Sequence, residues 1–124
     1  MSGKAEGYPS NWQTIARRVK KAAGWKCVRC GAKHSREGWN ILTVHHLDGD
    51  KMNCRWWNLV ALCQRCHLRI QGRVKMDQPF IYEHSAWFKP YVAGFYAWKY
   101  LGKHLGRMRV LERMDELLAL ERVI

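Results

Sequence analysis

The first periodic segment of the chain has the spacing of an amphipathic helix. Its apolar positions recur at intervals of three and four residues: Trp12, Ile15, Ala16 and Val19. Such positions share one face of a helix. Residues 10–13 resemble a capping box, and Gly24 suits the end of a helix. The pattern predicts a helix with basic side chains beside its apolar face.

The middle of the chain changes from helical to strand-like spacing. Residues 41–47 are rich in β-forming side chains and predict a strand, and the turn-forming residues 48–53 predict the loop after it. Residues 58–62 are mostly apolar and lead towards Cys63. A second helix is predicted from His67 to about residue 74.

Aromatic side chains crowd residues 79–101. Core packing or a surface for a partner helix is favoured there over stacking on nucleic-acid bases. From Leu105 a broad apolar stripe predicts an amphipathic C-terminal helix. Its apolar positions are Met108, Val110, Leu111, Met114, Leu117 and Leu118. This helix could dock on its own domain, or it could pair with a second copy or a protein partner.

The length of 124 residues fits one domain or one domain with a helical appendage. We expect an N-terminal basic helix over 1–21, a core over 22–76 and a helical extension over 77–124. Lys and Arg number 22 against 10 Asp and Glu, for a net charge of +12. That excess favours a polyanion such as nucleic acid over a basic protein without such a partner.

We expect neither a membrane span nor a signal peptide, because the first residues are polar and no apolar run is long enough. We therefore expect an intracellular, cytoplasmic protein without a membrane partner. Such a compartment keeps thiols reduced and favours metal binding by CxxC pairs over disulfides.

Four of the five cysteines form two matched CxxC pairs: Cys27, Cys30, Cys63 and Cys66. This spacing is typical of a structural zinc site, in which four thiolates leave no position open for a substrate. Cys54 is the odd thiol, interpreted as a half-buried small side chain. His34 or His67 could each replace a thiol, but the four cysteines suffice.

The histidines His45, His46 and His67 therefore exceed what the zinc site needs. They are free to serve a second, open metal site, and this surplus makes the chain a candidate nuclease. Neighbouring strand residues point to opposite faces. His45 and His46 can therefore serve one site only if the strand ends or twists there.

These residues, taken in order, resemble the HNH endonucleases. The matching positions are Val44-His45-His46-Leu47-Asp48-Gly49-Asp50, Asn53, Asn58-Leu59 and Leu62-Cys63-Gln64-Arg65-Cys66-His67. The resemblance covers about residues 22–75. It implies a small α+β fold, a zinc-stapled ββα-metal core of the four-cysteine subgroup, with flanking N- and C-terminal helices.

The resemblance also implies a role for each matching position. His46 would be the general base that activates water, and His45 and His67 would hold one catalytic divalent cation. Asn58 would stabilise the loop rather than contact substrate. The ion would be Mg²⁺ or Mn²⁺, with Ni²⁺ and Zn²⁺ also suited to imidazole ligands.

Arginine spacing adds a candidate DNA-binding surface. Arg65, Arg69 and Arg73 recur every four residues and would share one helix face, and Arg17 and Arg18 lie on the basic N-terminal helix. For the N-terminal run, a solvated helix face is the open alternative.

The sequence is consistent with three alternative functions. The first is a metal-dependent DNA endonuclease, leaving 5′-phosphate and 3′-hydroxyl ends, of a kind found in phages and mobile elements. The second is a non-catalytic, zinc-stabilised DNA-binding module. The third is an interaction protein that assembles through its C-terminal helix.

Overall fold

The computed structural model describes residues 7–71 and 86–122. Within them, seven regular elements follow one another: α1 (Trp12–Ala22), β1 (Leu42–His46), β2 (Leu59–Cys63), α2 (Gln64–Ile70), α3 (Lys89–Leu101), α4 (Arg107–Glu112) and α5 (Met114–Leu118). Short 3-10 turns lie at Gly38–Asn40, Trp56–Asn58 and Ala119–Arg122. The predicted α+β fold, a two-stranded sheet with flanking helices beside a cysteine cluster, is confirmed.

The two strands form an antiparallel pair in which His45 lies opposite Val60 and His46 opposite Leu59. All five residues of β2 are buried. Burial of both faces explains why this strand reads as a continuous apolar run in the sequence. The predicted first strand over 41–47 is observed as Leu42–His46, and it ends at the second histidine.

The second helix begins at Gln64, three residues earlier than the sequence predicts. Cys63 is its N-cap, and the Cys63 sulfur accepts a hydrogen bond from the backbone N–H of Cys66 at 3.5 Å. A thiol in this role replaces the usual hydroxyl or carboxylate cap. The predicted helix end near residue 74, like Arg73, lies outside the described residues.

The predicted capping box at the first helix is wrong. Asn11 is the N-cap residue, but its side chain makes no capping hydrogen bond. Its backbone angles, φ −98° and ψ 24°, are not the extended ones that usually aim a cap at the first turn. A turn instead places the N–H of Trp12 3.0 Å from the carbonyl oxygen of Pro9.

Helix α3 packs apolar side chains into the core, which is the first of the two alternatives for the aromatic segment. Residues 79–85 of that segment lie outside the described residues. Gly94 permits a close approach to the two tryptophans before β2. A Cβ atom there would lie 2.8 Å from both Trp56 Cζ2 and Trp57 Cβ. The Trp56 indole also donates to the carbonyl oxygen of Leu105 at 2.8 Å. The C-terminal extension is therefore packed on the same core as the sheet.

The predicted single amphipathic helix from Leu105 is wrong in one respect. It is broken at Arg113, where φ −119° and ψ 21° leave the helical region, so that α4 and α5 are separate. Val110 and Leu117, one from each piece, are buried against α3. The break lets both pieces bury an apolar side chain. In the described part of the chain, no helix has the length and apolar character to cross a membrane.

Candidate metal centre and catalytic site

The four cysteines predicted as zinc ligands come together in the structure. The sulfurs of Cys27, Cys30, Cys63 and Cys66 all lie within 4.8 Å of one another. The sulfurs of Cys30 and Cys63 are 3.7 Å apart. Four thiolates at the usual Zn–S distance stand about 3.8 Å apart in a tetrahedron. The group therefore fits a structural zinc ion.

Backbone geometry builds each half of this cluster. The first pair closes a turn in which the N–H of Cys30 lies 3.4 Å from the Cys27 sulfur. Gly31 follows with φ +81°, a conformation that glycine adopts without steric cost. The N–H of Val28 donates to the carbonyl oxygen of Ala61 at 2.9 Å, which ties this turn to β2.

The acidities of these thiols also fit a cation. Burial raises the pKa of Cys27, but backbone hydrogen bonds outweigh burial and lower the pKa to about 7. Burial raises the pKa of Cys66 to about 12, against the opposing effect of the Arg29 guanidinium. Thiols this close cannot all ionise together unless a cation lies among them. A divalent metal supplies that charge.

The second predicted metal site consists of two imidazoles that meet across the sheet–helix boundary. His45 on β1 and His67 on α2 approach with 3.1 Å between His45 Nδ1 and His67 Nε2. Two nitrogens that are adjacent ligands of one ion, at about 2.0–2.1 Å from it, stand about 3.0–3.4 Å apart. Both rings are half-buried. The pair therefore fits one divalent ion with further positions open.

Thr43 fixes the orientation of one of these rings. Its hydroxyl donates to the carbonyl oxygen of Leu62 at 2.8 Å. Its oxygen must then accept at the 2.9 Å contact with His67 Nδ1, because a hydroxyl has one hydrogen. His67 therefore carries its proton on Nδ1, and the Nε2 lone pair faces His45.

All three histidines have lowered pKa values. Burial, helped by the charges of the other two rings, lowers the pKa of His45 to about 4. Burial alone lowers the pKa of His67. For His46, burial lowers the pKa, although Asp48 and Asp50 oppose it. The rings are therefore neutral near pH 7, the form that can bind a metal or accept a proton.

His46 is the last residue of β1, and its ring lies under the N-terminal segment. Its ring is 4.7 Å from the Trp12 ring and 5.7 Å from the Tyr8 ring, between centroids. The side chain is only 6% exposed, and its Nε2 is buried without a hydrogen-bond partner. The Lys51 carbonyl interacts with the ring through a hydrogen bond. The predicted general base thus has a free lone pair, but the described structure covers it.

Asn58 lies fully buried at the end of the loop between the strands. Its side-chain oxygen accepts from the N–H of Asp48 at 2.9 Å. Its amide donates to Asp48 Oδ1 at 2.8 Å and to the Asn53 carbonyl at 2.9 Å. These bonds hold the loop that follows His46, and they leave Asn58 no exposed surface for a substrate.

The arginines predicted to contact DNA are exposed where they are described. Arg65 and Arg69 lie one turn apart on α2, the helix that carries His67. Arg17 and Arg18 are exposed on α1. The first pair is therefore close to the histidine site in the chain and free to meet a phosphate backbone.

The region that carries the cysteine cluster and the histidines matches a known protein family. Residues 27–73 match the family described as HNH endonuclease. Residues 27–73 form an HNH domain. The match contains every cysteine and histidine of the two candidate metal sites described above. Membership of this family supports a nuclease-type function, and HNH nuclease domains act on DNA.

One curated relative resembles about half of the chain. The Zorya protein ZorE of Escherichia coli strain Crooks is 36% identical over 61 residues, which are 49% of this chain. The chain spans only 16% of the length of that protein. The likeness is therefore one of a domain within a larger protein. No solved structure matches the chain at a significant level.

Three residues around the HNH site were not predicted from the sequence: Thr43, Trp12 and Arg29. Thr43 could have been found, because it lies two positions before His45 and so shares its strand face. The spacing of Trp12 predicts only its place on the apolar face of a helix, and no local pattern shows that it covers His46. Arg29, within the first CxxC pair, lies 3.6 Å from the Cys66 sulfur.

Proposed function

We propose that this HNH domain is a metal-dependent endonuclease that hydrolyses DNA phosphodiester bonds. One observation carries the proposal. His45 and His67 converge to 3.1 Å between ring nitrogens, with the unpartnered Nε2 of His46 on the adjacent residue. A structural zinc module without catalysis needs none of these three rings.

His46 would act as the general base. Its Nε2 would take a proton from a water molecule, whose oxygen attacks phosphorus as the bond to the 3′ oxygen breaks. The departing 3′ oxygen takes a proton from solvent, so the products are a 5′-phosphate and a 3′-hydroxyl. The lowered pKa of His46 keeps its ring neutral and able to accept that proton.

His45 and His67 would hold the divalent ion, and Thr43 would keep the His67 lone pair directed at it. Such an ion supplies Lewis-acid stabilisation of the negative charge on the phosphate. Mg²⁺ and Mn²⁺ are the first candidates, while the two imidazoles also suit Ni²⁺ and Zn²⁺. The cysteine cluster would carry a separate, structural zinc ion.

Charge supports DNA as the substrate. The chain carries a net charge of +12, and Arg65 and Arg69 are exposed on the helix that presents His67. Arginine forks bind phosphate oxygens in two hydrogen bonds and so can hold a backbone at a fixed position. Arg17 and Arg18 would extend this surface along α1.

A plasmid-nicking assay tests the proposal. Zinc-loaded protein is incubated with supercoiled DNA in Mg²⁺, Mn²⁺, Ni²⁺ or EDTA. Cleavage should need the divalent ion, and His46→Ala should slow it about 10²–10⁴-fold, the usual range for loss of a general base. His104→Ala is the matched control, because His104 is exposed in the loop after α3.

The same assay can overturn the proposal. If wild-type protein binds the plasmid but leaves it uncut with every divalent ion, the endonuclease function fails. The burial of His46 at 6% exposure favours the second candidate, a zinc-stabilised DNA-binding module without catalysis. That outcome would select it.

A further inference from the structure

The surface above His46 is formed by a short aromatic segment that precedes α1. Tyr8 and Trp12 stack on each other with ring centroids 5.0 Å apart and planes 27° apart. Both rings contact the His46 ring. A scissile phosphate cannot reach Nε2 while these rings remain in place, because that atom is buried.

Lys51 holds the outer side of this segment. Its ammonium lies 5.0 Å from the centre of the Tyr8 ring, a cation–π contact. Its aliphatic part packs along the backbone of Gly7, where an added Cβ would lie 3.5 Å from Lys51 Cδ. Lys51 belongs to the loop that follows β1, so the residue that covers the lid is close in the sequence to His46, the last residue of that strand.

Few buried contacts hold this segment and the helix that follows it to the rest of the protein. Helix α1 contains no buried residue, and only partly buried side chains such as Val19 pack against the core. Segments with few buried contacts open at low free-energy cost. The ammonium of Lys51 is also a natural phosphate ligand, and a phosphate is a stronger partner for it than an aromatic face.

We propose that residues 7–12 form a lid that closes the nuclease site in the free protein and that polyanion binding opens it. An arriving phosphate backbone draws Lys51 away from Tyr8, the stacked Tyr8–Trp12 pair leaves the His46 ring, and Nε2 becomes accessible. The lid restrains hydrolysis until DNA is bound. This inference rests on the proposed role of His46, and its test separates the two.

The first test measures the reactivity of His46 rather than cleavage. The zinc-loaded protein of 124 residues is treated with diethyl pyrocarbonate, and acylation of each histidine is followed by peptide mass spectrometry. His46 should react more slowly than the exposed His104. Trp12→Ala should raise the His46 rate about tenfold by removing two ring contacts. Trp12→Phe and the exposed-site control Trp39→Ala should keep the wild-type rate.

The second test locks the lid. A Cβ at Gly7 would lie 3.9 Å from Lys51 Cβ, within the range for a disulfide. The variant combines Gly7→Cys and Lys51→Cys with Cys54→Ser, because Cys54 is a competing thiol close to Lys51. Its oxidised form should lose cleavage. The reduced form should cleave, because Lys51→Cys also removes the ammonium contact that holds Tyr8 in place. Cys54→Ser alone should cleave in both states. Gly7 has φ +88°, so a cysteine there strains the backbone. That strain is present in both redox forms and does not affect the comparison between them.

Each result has one meaning. The lid is refuted if wild-type His46 is acylated as fast as His104, if folded Trp12→Ala leaves His46 protected, or if the oxidised lock cleaves as fast as its reduced form. If neither the wild-type protein nor any variant cleaves DNA, the endonuclease proposal fails, but the lid proposal is not thereby refuted. The acylation rates still decide whether the lid exists.

Discussion

The hydroxyl oxygen of Thr43 accepts a hydrogen bond from Nδ1 of His67 at 2.9 Å, because its own hydrogen is donated to the Leu62 carbonyl. A side chain on β1 thus sets the tautomer of a ring on α2. The consequence is a nitrogen lone pair that faces His45 before any metal arrives.

Thr43→Val removes this bond while keeping the shape of the side chain. Loss of the partner that orients a histidine ligand typically weakens metal binding about 10–100-fold. We expect a loss of that size for Mn²⁺ or Ni²⁺ binding to zinc-loaded protein, measured by isothermal titration calorimetry. Thr43→Ser should restore binding, and Thr14→Val on the exposed face of α1 should not change it. Unchanged affinity in Thr43→Val would contradict the role of the hydroxyl.

Gly94→Ala should destabilise the fold. The new methyl group would meet Trp56 Cζ2 and Trp57 Cβ at 2.8 Å, which forces the helix or the segment that carries the two tryptophans to move. Overpacking of this kind costs about 1–3 kcal/mol. Urea unfolding followed by tryptophan fluorescence measures the change. Gly106→Ala is the matched control, since no atom lies within 4 Å of its added Cβ, and it should stay within about 0.5 kcal/mol.

Cys66→Ser should abolish the structural zinc site, because a neutral hydroxyl is a poor substitute for a thiolate ligand. Native mass spectrometry should show the bound zinc falling from about one ion per chain to near zero. Cys54→Ser, which alters the thiol outside the cluster, should keep the full zinc content. Zinc retained by Cys66→Ser would show that three thiolates and another ligand suffice.

Arg69→Ala should lower the affinity for DNA, and it should also make that affinity depend less steeply on salt concentration. Each phosphate contact that is lost lowers the slope of log K against log salt by about 0.9. Fluorescence anisotropy with a duplex over a range of salt concentrations measures that slope. Arg109→Ala is the control, because Arg109 is exposed on α4 beside Glu112 and outside the proposed surface. Equal slopes for Arg69→Ala and wild type would remove α2 from that surface.

The sequence predicts the cluster of four cysteines because its geometry is local. Each CxxC pair closes its own turn, and zinc chemistry then requires the two turns to meet. The histidine pair follows from the resemblance to HNH proteins together with strand alternation and the start of α2. These constraints act over a few residues, so they remain visible in the chain.

The environment of His46 could not be predicted in the same way. Trp12 is 34 positions away in the sequence, and its spacing indicates only a helix face. Whether that face covers a strand residue depends on how α1 docks, which has no local signature. The break at Arg113 has a similar origin, since burial of Val110 and Leu117 against α3 overrides the continuous helical pattern.

The fit of α3 against the two tryptophans bears on how this protein can be divided. The match to the HNH family ends at residue 73, yet Trp57 and Leu62 share a hydrophobic cluster with side chains of α3. A fragment that ended at residue 73 would lack α3 and would expose the indoles of Trp56 and Trp57 to water. Exposed apolar surface of this kind favours aggregation. Any transplant of this HNH domain into another scaffold must include the helix from Lys89 to Leu101.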